Sequence, residues 1–181
     1  MAQRVLELLQ ERLPDAVVEC GSYVGDEMAL VEREHLLEVL TLLKEDPALA
    51  FNMLSDLTVV DWMGQSPRFE VVYQLYSIEH KHRVRLKVGV EEGDKCSVPS
   101  ATGLWYSAAW AEREAWDLYG VRFDGHPDLR RILMYEEFVG HPLRKDYPQN
   151  ARQPLIRRPD APETDDQTTR LLANSHDRRV E

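Results

Sequence analysis

Two histidines and three acidic residues are the side chains of this sequence that could serve a metal centre. His126 and His141 follow Glu112, Glu114 and Asp117 along the chain, and imidazole and carboxylate are the usual ligands of zinc and non-haem iron. Each histidine directly precedes a proline, which favours an extended backbone. The set also lacks the two histidines on one helix face that a motif such as HExxH supplies. A stand-alone metal-dependent hydrolase is therefore an alternative that we do not prefer.

The same charged residues can instead form ion pairs. Arg113 and Asp117 have the i, i+4 spacing at which opposite charges meet on a helix. Glu112, Glu114 and the arginines at positions 130, 131 and 144 can pair locally or across an interface. Buried pairs at interfaces contribute register and specificity more than net stability. We therefore predict a structural role for these residues rather than a catalytic one.

The composition indicates a folded, acidic protein. A chain of 181 residues suffices for one ordinary domain with appendages, or for two small domains. Hydrophobic residues make up 43% and charged residues 30%, which is typical of globular rather than disordered chains. The formal net charge of -10 argues against binding to nucleic acid or anionic membranes, because phosphates require clustered Lys and Arg.

The sequence contains no familiar cofactor-binding pattern. Cys20 and Cys96 form no CxxC motif, which argues against a disulfide framework, an iron-sulfur cluster or a zinc site. The absence of GxGxxG and of a P-loop removes any ground for direct nucleotide binding. No run approaches the ~20 apolar residues of a membrane span, and the amino terminus does not resemble a signal peptide. We expect a reducing, cytoplasmic location, with membrane association only through partner proteins.

The first half of the chain predicts helices packed on a mainly antiparallel sheet. Helical spacing of leucines covers residues 2–13 and 34–45, each followed by a proline. Residues 16–23 and 27–32 predict a hairpin around Gly25 and Asp26. Strands are predicted at 57–62, 69–76 and 83–90, the last two joined by a short polar turn. We expect Arg83, Arg85 and Lys87 to lie on a solvated face.

A third helix is predicted at residues 108–119, with Ser107 as its cap. At about 100° per residue, one stripe consists of Ala108, Ala111, Ala115, Leu118 and Tyr119. Arg113, Glu114 and Asp117 project from the opposite side. Trp105, Tyr106, Trp110 and Trp116 lie close together around this helix. We expect these aromatic residues to be divided between the core and an interface.

The remainder of the chain is rich in Gly, Pro, His and paired basic residues and has little periodicity. Residues 120–148 predict an extended segment that lies against another surface rather than burying itself. We therefore divide the chain into an α+β domain at 1–98, a helix with a partner-docking segment at 99–148, and a tail at 149–181. The tail is expected to be ordered only on a partner.

Two long motifs resemble the signature of a known family. Residues 112–121 read EREAWDLYGV and residues 123–133 read FDGHPDLRRIL, and at 140–148 the sequence continues GHPLRKDYP. Their order and spacing resemble those of the 30 kDa or C subunit of respiratory NADH:quinone oxidoreductase (complex I). Weaker similarity extends back through Ala109-Trp110, Pro99-Ser100 and the strand at 70–73. It also includes Phe51-Asn52, Leu54, Asp56-Leu57 and Asp61.

The resemblance implies an α+β domain followed by an extended segment that wraps the 49 kDa-type (D) subunit, close to the iron-sulfur subunits of the peripheral arm. A subunit of this kind binds no FMN, cluster or quinone itself. The complex transfers electrons from NADH through FMN and iron-sulfur clusters to quinone and couples this to proton translocation, and its peripheral arm lies on the cytoplasmic face of the membrane. The equivalent subunit of a related complex, such as a membrane-bound hydrogenase, is the principal alternative.

No catalytic, cofactor-binding or metal-ligating residue is expected in this chain. The motif residues that we assign to the partner interface are Glu112, Arg113, Glu114, Asp117, His126, Asp128, Arg130, Arg131, His141, Arg144, Lys145, Asp146 and Tyr147.

Overall fold

The computed structural model of the chain describes residues 3–153. Helix α1 spans Gln3–Arg12 and is followed by strands β1 (Val17–Tyr23) and β2 (Asp26–Val31). A 3-10 turn (Arg33–His35) leads into helix α2 (Leu36–Glu45). Strands β3 (Met53–Asp61), β4 (Phe69–Ser77) and β5 (His82–Val90) come next. The described chain continues with β6 (Ser97–Pro99), helix α3 (Ala108–Tyr119) and β7 (Arg122–Asp124).

Five strands form the main sheet in the order β1-β2-β5-β4-β3. Adjacent strands in this sheet are antiparallel, except for β2 and β5, which run parallel. The predicted α+β fold with a mainly antiparallel sheet is therefore confirmed. The two predicted hairpins are also confirmed, since β1 pairs with β2 and β4 pairs with β5.

Alternating side chains of the sheet join the helices in one hydrophobic core. Phe69, Val71 and Tyr73 of β4 are completely buried, because successive residues of a strand point to opposite faces. Helix α2 contributes Leu36 and Leu40, which are equally buried in the same cluster. Burying each such side chain stabilises the fold by roughly 1.5–3 kcal/mol. Arg83, Arg85 and Lys87 alternate with buried residues on β5 and remain at least partly exposed, as predicted.

Strand β3 starts at Met53, well before the predicted residue 57. Its early part has no alternating pattern, but β4 continues to Tyr76 and pairs with Met53. The register shifts between Leu54 and Asp56, which is the mark of a bulge. The strand is longer than its own sequence predicts because a neighbouring strand supplies backbone partners.

Helix α3 has the predicted bounds, but Ser107 does not cap it. Ser107 has helical backbone angles and makes no side-chain capping bond, whereas a capping residue needs an extended backbone. Its hydroxyl instead donates to the Leu54 carbonyl oxygen at 3.5 Å. The helix ends at Gly120, whose left-handed φ of 79° is the usual glycine stop.

The described residues as far as Ala151 form one compact unit. The proposed boundary between a domain at 1–98 and a docking part at 99–148 stays a prediction. Most of the tail at 149–181 lies outside the described residues. Among the described helices, none has the length and apolar character required for crossing a membrane.

Candidate functional site

The end of helix α3 carries a fully buried carboxylate, Asp117. Its Oδ2 accepts hydrogen bonds from the backbone N–H groups of Ile132, Leu133 and Met134 at 3.1, 2.8 and 2.8 Å. Its Oδ1 accepts one from Arg131 Nη1 at 2.6 Å. Burial acts to raise the pKa of Asp117, but these hydrogen bonds outweigh it and the pKa is lowered. The carboxylate therefore stays charged and fixes the backbone of the segment that returns past the helix.

Arg131 extends this cluster along the returning segment. Its Nη2 donates to the carbonyl oxygens of Phe138 and Gly140 at 2.8 and 3.1 Å. The guanidinium also lies over the rings of Trp116 and Phe138, at 5.9 and 5.7 Å from their centroids. Only 14% of the side chain is exposed. Arg131 thus connects residues 131–140 to the helix end.

The predicted ion pair between Arg113 and Asp117 is wrong. Asp117 pairs with Arg131, and Arg113 donates instead to the carbonyl oxygens of Arg130 and Arg131 at 3.1 and 2.9 Å. The reason is that the returning segment offers Asp117 three amides and a guanidinium at once. An i, i+4 ion pair with Arg113 on the helix surface would stabilise the Asp117 carboxylate far less.

Both histidines of the motifs bind backbone groups. His126 Nδ1 accepts from the Asp128 amide at 3.0 Å, so its Nε2 carries the proton that is donated to the Ala109 carbonyl oxygen at 3.0 Å. His141 Nδ1 donates to the Asp117 carbonyl oxygen at 2.9 Å. Burial lowers the pKa of His141. Within the described residues, His, Cys, Asp and Glu form no group suited to holding a metal ion.

A second ionic cluster surrounds Arg68, which is 8% exposed. Its guanidinium binds both carboxylate oxygens of Asp61 at 3.0 Å, and it reaches Asp146 at 2.8 Å and Glu92 at 2.6 Å. The backbone N–H of Lys145 also donates to Asp61 at 2.8 Å. Hydrogen bonds from Arg68 hold the pKa values of Asp61 and Asp146 below their usual range. This cluster fastens residues 145–146 to the sheet.

Sequence reasoning missed Arg68 and Glu92 altogether, and noted Asp61 only through weak similarity. Arg68 lies 78 residues from Asp146 and 24 from Glu92. No local spacing rule relates residues so far apart. The one local signal was Arg68 itself, a charged residue at the start of a strand that is otherwise apolar on its inner face.

The motif at residues 140–148, which we call the closing motif, packs directly against the end of α3. Arg144 Nε donates to the Tyr119 carbonyl oxygen at 2.5 Å, and its guanidinium lies 5.0 Å over the Phe69 ring. Tyr147 stacks on Phe138, with centroids 5.9 Å apart. A Cβ at Gly120 would come within 2.6 Å of Arg144 and His141. Only glycine leaves room for this contact.

Glu112 points inward rather than toward a surface. It is fully buried and accepts hydrogen bonds from the Ser100 hydroxyl at 2.7 Å and the Ala101 amide at 2.6 Å. Burial raises its pKa, although those hydrogen bonds act in the opposite direction. Glu112 therefore anchors the loop that precedes α3.

Residues 125–148, which we call the docking segment, lie against their own molecule. Contacts within the chain therefore hold its backbone, and the prediction that this stretch also lies against a partner stays a prediction. Polar groups of the segment donate hydrogen bonds to Asp117, Tyr119 and Asp61 of the same chain. The sequence could not show this, because the groups that fix the segment lie on α3 and β3.

Several large apolar side chains remain exposed around α3 and the docking segment. We call them the exposed apolar set, and its members are Tyr106 (96%), Trp110 (64%), Leu133 (57%), Tyr135 (41%), Val139 (68%) and Leu143 (49%). Glu114 and the Asp128–Arg130 ion pair, 2.9 Å long, are exposed as well. Trp105 is only 5% exposed. The aromatic residues are thus divided between core and surface, and the prediction that the exposed ones lie at an interface stays a prediction.

The sequence of this chain is similar to those of known proteins. Residues 29–153 match the family described as respiratory-chain NADH dehydrogenase, 30 Kd subunit. The C subunit of NADH-quinone oxidoreductase from Citrifermentans bemidjiense is 51% identical over 145 residues, which are 80% of this chain and 88% of that protein. The protein of the same name from Roseiflexus sp. is 49% identical over 149 residues, 82% of this chain and 85% of its own length.

Solved structures also resemble this chain. The trypsin-resistant fragment (1-134) of Nqo5 superposes with a TM-score of 0.62 at 33% identity, and it covers 71% of this chain and all of that fragment. A chain of the archaeal membrane-bound sulfane sulfur reductase superposes with a TM-score of 0.69 over 82% of this chain and 86% of its own. At 24% identity, the second similarity shows the fold alone.

Proposed function

Because this chain belongs to the family of 30 kDa subunits of respiratory-chain NADH dehydrogenase, we propose that it is the structural 30 kDa-type subunit of a proton-translocating NADH:quinone oxidoreductase. In this role it holds the 49 kDa-type (D) subunit and neighbouring iron-sulfur subunits in fixed geometry. It contributes no redox centre. FMN, iron-sulfur clusters and quinone are bound by other subunits.

The observation that carries this proposal is an exposed apolar set on a backbone that is already held in place. Large aromatic side chains are typical anchors of protein interfaces. The Asp117 and Arg68 clusters fix the docking segment before any partner arrives. Such preorganisation reduces the entropy that binding must overcome. The segment is therefore suited to act as a rigid clamp.

The histidines support a structural rather than a redox role. His126 uses both ring nitrogens for backbone hydrogen bonds, and His141 uses Nδ1. These bonds hold the Gly-His-Pro turns against α3. A hydrolase would need the same nitrogens for a metal or a proton-transfer step.

The electron donor is proposed to be NADH. The relatives at about half identity are named as C subunits of NADH-quinone oxidoreductases. The equivalent subunit of a related complex is not favoured, since the sulfane sulfur reductase chain resembles this one at only 24% identity. We propose that the chain lies on the cytoplasmic face of the cell membrane and reaches the membrane only through its complex.

The test is affinity purification of the tagged full-length chain from native membranes, with mass spectrometry of the co-purified proteins. We expect the 49 kDa-type, iron-sulfur and NADH-binding subunits to be recovered together. A hydrogenase large subunit without an NADH-binding module would contradict the NADH assignment. Recovery of the chain alone from the soluble fraction would contradict the proposal as a whole.

A further inference from the structure

A groove lies where the end of α1 meets α2, and neither the docking segment nor the ionic clusters contribute to it. Its volume is about 600 Å³. Leu13, Leu37 and Leu42 line it, and Glu38 and Glu45 lie among its other lining residues. An apolar recess rimmed by charged residues is a candidate interaction site.

The floor of the groove is apolar because Leu37 of α2 is exposed beside the partly buried Leu13 and Leu42. Leu36, Leu40 and Leu43 are completely buried in the core, whereas Leu37 is 40% exposed. Thr41, one helical turn after Leu37, donates its hydroxyl to the Leu37 carbonyl oxygen at 2.7 Å. That donor is therefore already used within the helix.

The rim of the groove is acidic. Arg12 forms an ion pair with Asp46, and the Asp46 side chain is 10% exposed. Glu38 and Glu45 are both exposed, and among the described residues that line the groove there is no further cation to balance them. One arginine thus stands against three carboxylates. Within the described part of the chain, the other charged partner at the rim is His35, 3.3 Å from Glu38, which is charged only when protonated.

We infer that this groove binds a basic amphipathic segment of a neighbouring subunit, an inference that rests on the proposed function because the partner belongs to the same complex. An apolar floor beside α2 suits a helix that inserts apolar side chains at i, i+3 and i+4. Lysines or arginines beside those side chains meet Glu38 and Glu45. The lining residues of α2 run from Leu37 to Glu45, so the contact is roughly 12 Å long at about 1.5 Å per residue.

The test replaces Leu37 by the photo-crosslinking amino acid benzoylphenylalanine in the tagged full-length chain. The complex is purified from native membranes and irradiated, and the adduct is sequenced by mass spectrometry. We expect an adduct with another subunit, in a segment whose Lys and Arg outnumber its Asp and Glu and whose apolar residues have helical spacing. An adduct with an acidic or neutral segment, a second copy of this chain or this chain itself would overturn the inference. So would the absence of any adduct.

The same substitution at Trp110 separates this inference from the proposed function. Trp110 belongs to the exposed apolar set, so crosslinking there reports docking through α3. Adducts at Trp110 with none at Leu37 overturn the groove inference alone. If the chain co-purifies with no other subunit, the proposed function fails, and the inference fails with it.

Charge reversal in the groove supplies an independent readout. We expect E38K/E45K to lower the yield of the Leu37 adduct by about tenfold, because like charges would then face each other. The matched control is E7K/E11K, which reverses two exposed glutamates of α1 outside the groove. Both variants should keep the thermal unfolding midpoint of the parent chain. Equal adduct yields from the two double variants would overturn the charge assignment.

Discussion

At the scale of single residues, buried charge decides how this chain is held together. Asp117 is fully buried and receives four hydrogen bonds from a segment remote in sequence. Asp128, by comparison, forms an exposed pair with Arg130. The two aspartates lie close together in the signature sequence. Burial makes Asp117 essential to the fold, whereas exposure leaves Asp128 available for an interface.

Substitution of Asp117 by Asn should destabilise the chain. The change removes the negative charge that Arg131 needs and replaces one acceptor by a donor, which leaves buried partners unsatisfied. We expect a loss of about 3 kcal/mol in the free energy of unfolding, measured by urea denaturation of the full-length chain. The control D128N should change it by no more than about 0.5 kcal/mol. Equal effects of the two substitutions would contradict a structural role for Asp117.

His141 should make stability depend on pH. Burial lowers its pKa in the folded chain, so folding favours the neutral ring. The contribution of His141 is present in full above its ordinary pKa near 6.5 and is lost as the pH falls toward the lowered value. H141Q should therefore show a smaller decline of unfolding free energy between pH 7 and pH 5. An unchanged decline would mean that His141 titrates alike in the folded and unfolded chain.

At the scale of elements, two ionic clusters fix the docking segment to α3 and the sheet. Asp117 and Arg131 hold its first part, and Arg68 with Asp61 holds Lys145 and Asp146. Gly120 lies between helix and segment, where a positive φ and close neighbours exclude a side chain. The segment is ordered although it contains little regular secondary structure.

Substitution of Gly120 by Ala should loosen this junction. The left-handed backbone costs a residue with Cβ roughly 1–3 kcal/mol, and the added carbon would meet Arg144 and His141 at 2.6 Å. We expect the thermal unfolding midpoint to fall. G103A serves as the control, because a Cβ at Gly103 meets nothing within 4 Å and its φ is unstrained. A midpoint shift no larger than that of the control would disprove the steric argument.

Removal of the Arg68 side chain should release the closing motif before the sheet. R68M leaves Asp61 and Asp146 without their shared cation, so amide exchange at Leu143 and Lys145 should become faster than in β4. Hydrogen exchange followed by mass spectrometry measures this difference. The control K87M removes the more exposed Lys87–Glu70 pair and should not affect residues 140–148. Uniform acceleration across the whole unit would show that Arg68 acts on global stability alone.

At the scale of the whole molecule, the acidic unit presents an exposed apolar set from a rigid backbone. Arg130 and Arg131 are adjacent in the motif but have different surroundings, since the Arg130 side chain is 67% exposed and that of Arg131 only 14%. This contrast allows folding and assembly to be tested separately.

Charge reversal of the two arginines should therefore differ in effect. R130E should lower the amount of assembled complex in membranes while changing the free energy of unfolding of the chain by less than about 0.5 kcal/mol. R131E should reduce both the amount of assembled complex and the free energy of unfolding, because it places a second carboxylate beside Asp117. Native gels of solubilised membranes and denaturation of the purified chains provide the two measurements. Normal assembly with lost turnover would indicate chemistry in this chain, contrary to the proposed role.

Patterns of neighbouring residues were enough to predict the helices, most strands of the main sheet, the fold class and the family. Helix α3 was predicted with its observed bounds, and both hairpins were predicted with their partners, because helical periods, strand alternation and turn residues are properties of neighbouring positions. The family followed from ordered motifs. The pairing of charges did not follow, and the predicted Arg113–Asp117 pair was the one that local spacing favoured.

Which charged groups meet depends on the tertiary fold. Arg131 reaches Asp117 from 14 residues away and Arg68 reaches Asp146 from 78. Such contacts depend on the return of the chain past α3 and on burial, which raises the cost of every unsatisfied polar group. Asp117 therefore pairs with the partners that folding brings to its buried site, and not with the arginine nearest to it along the helix.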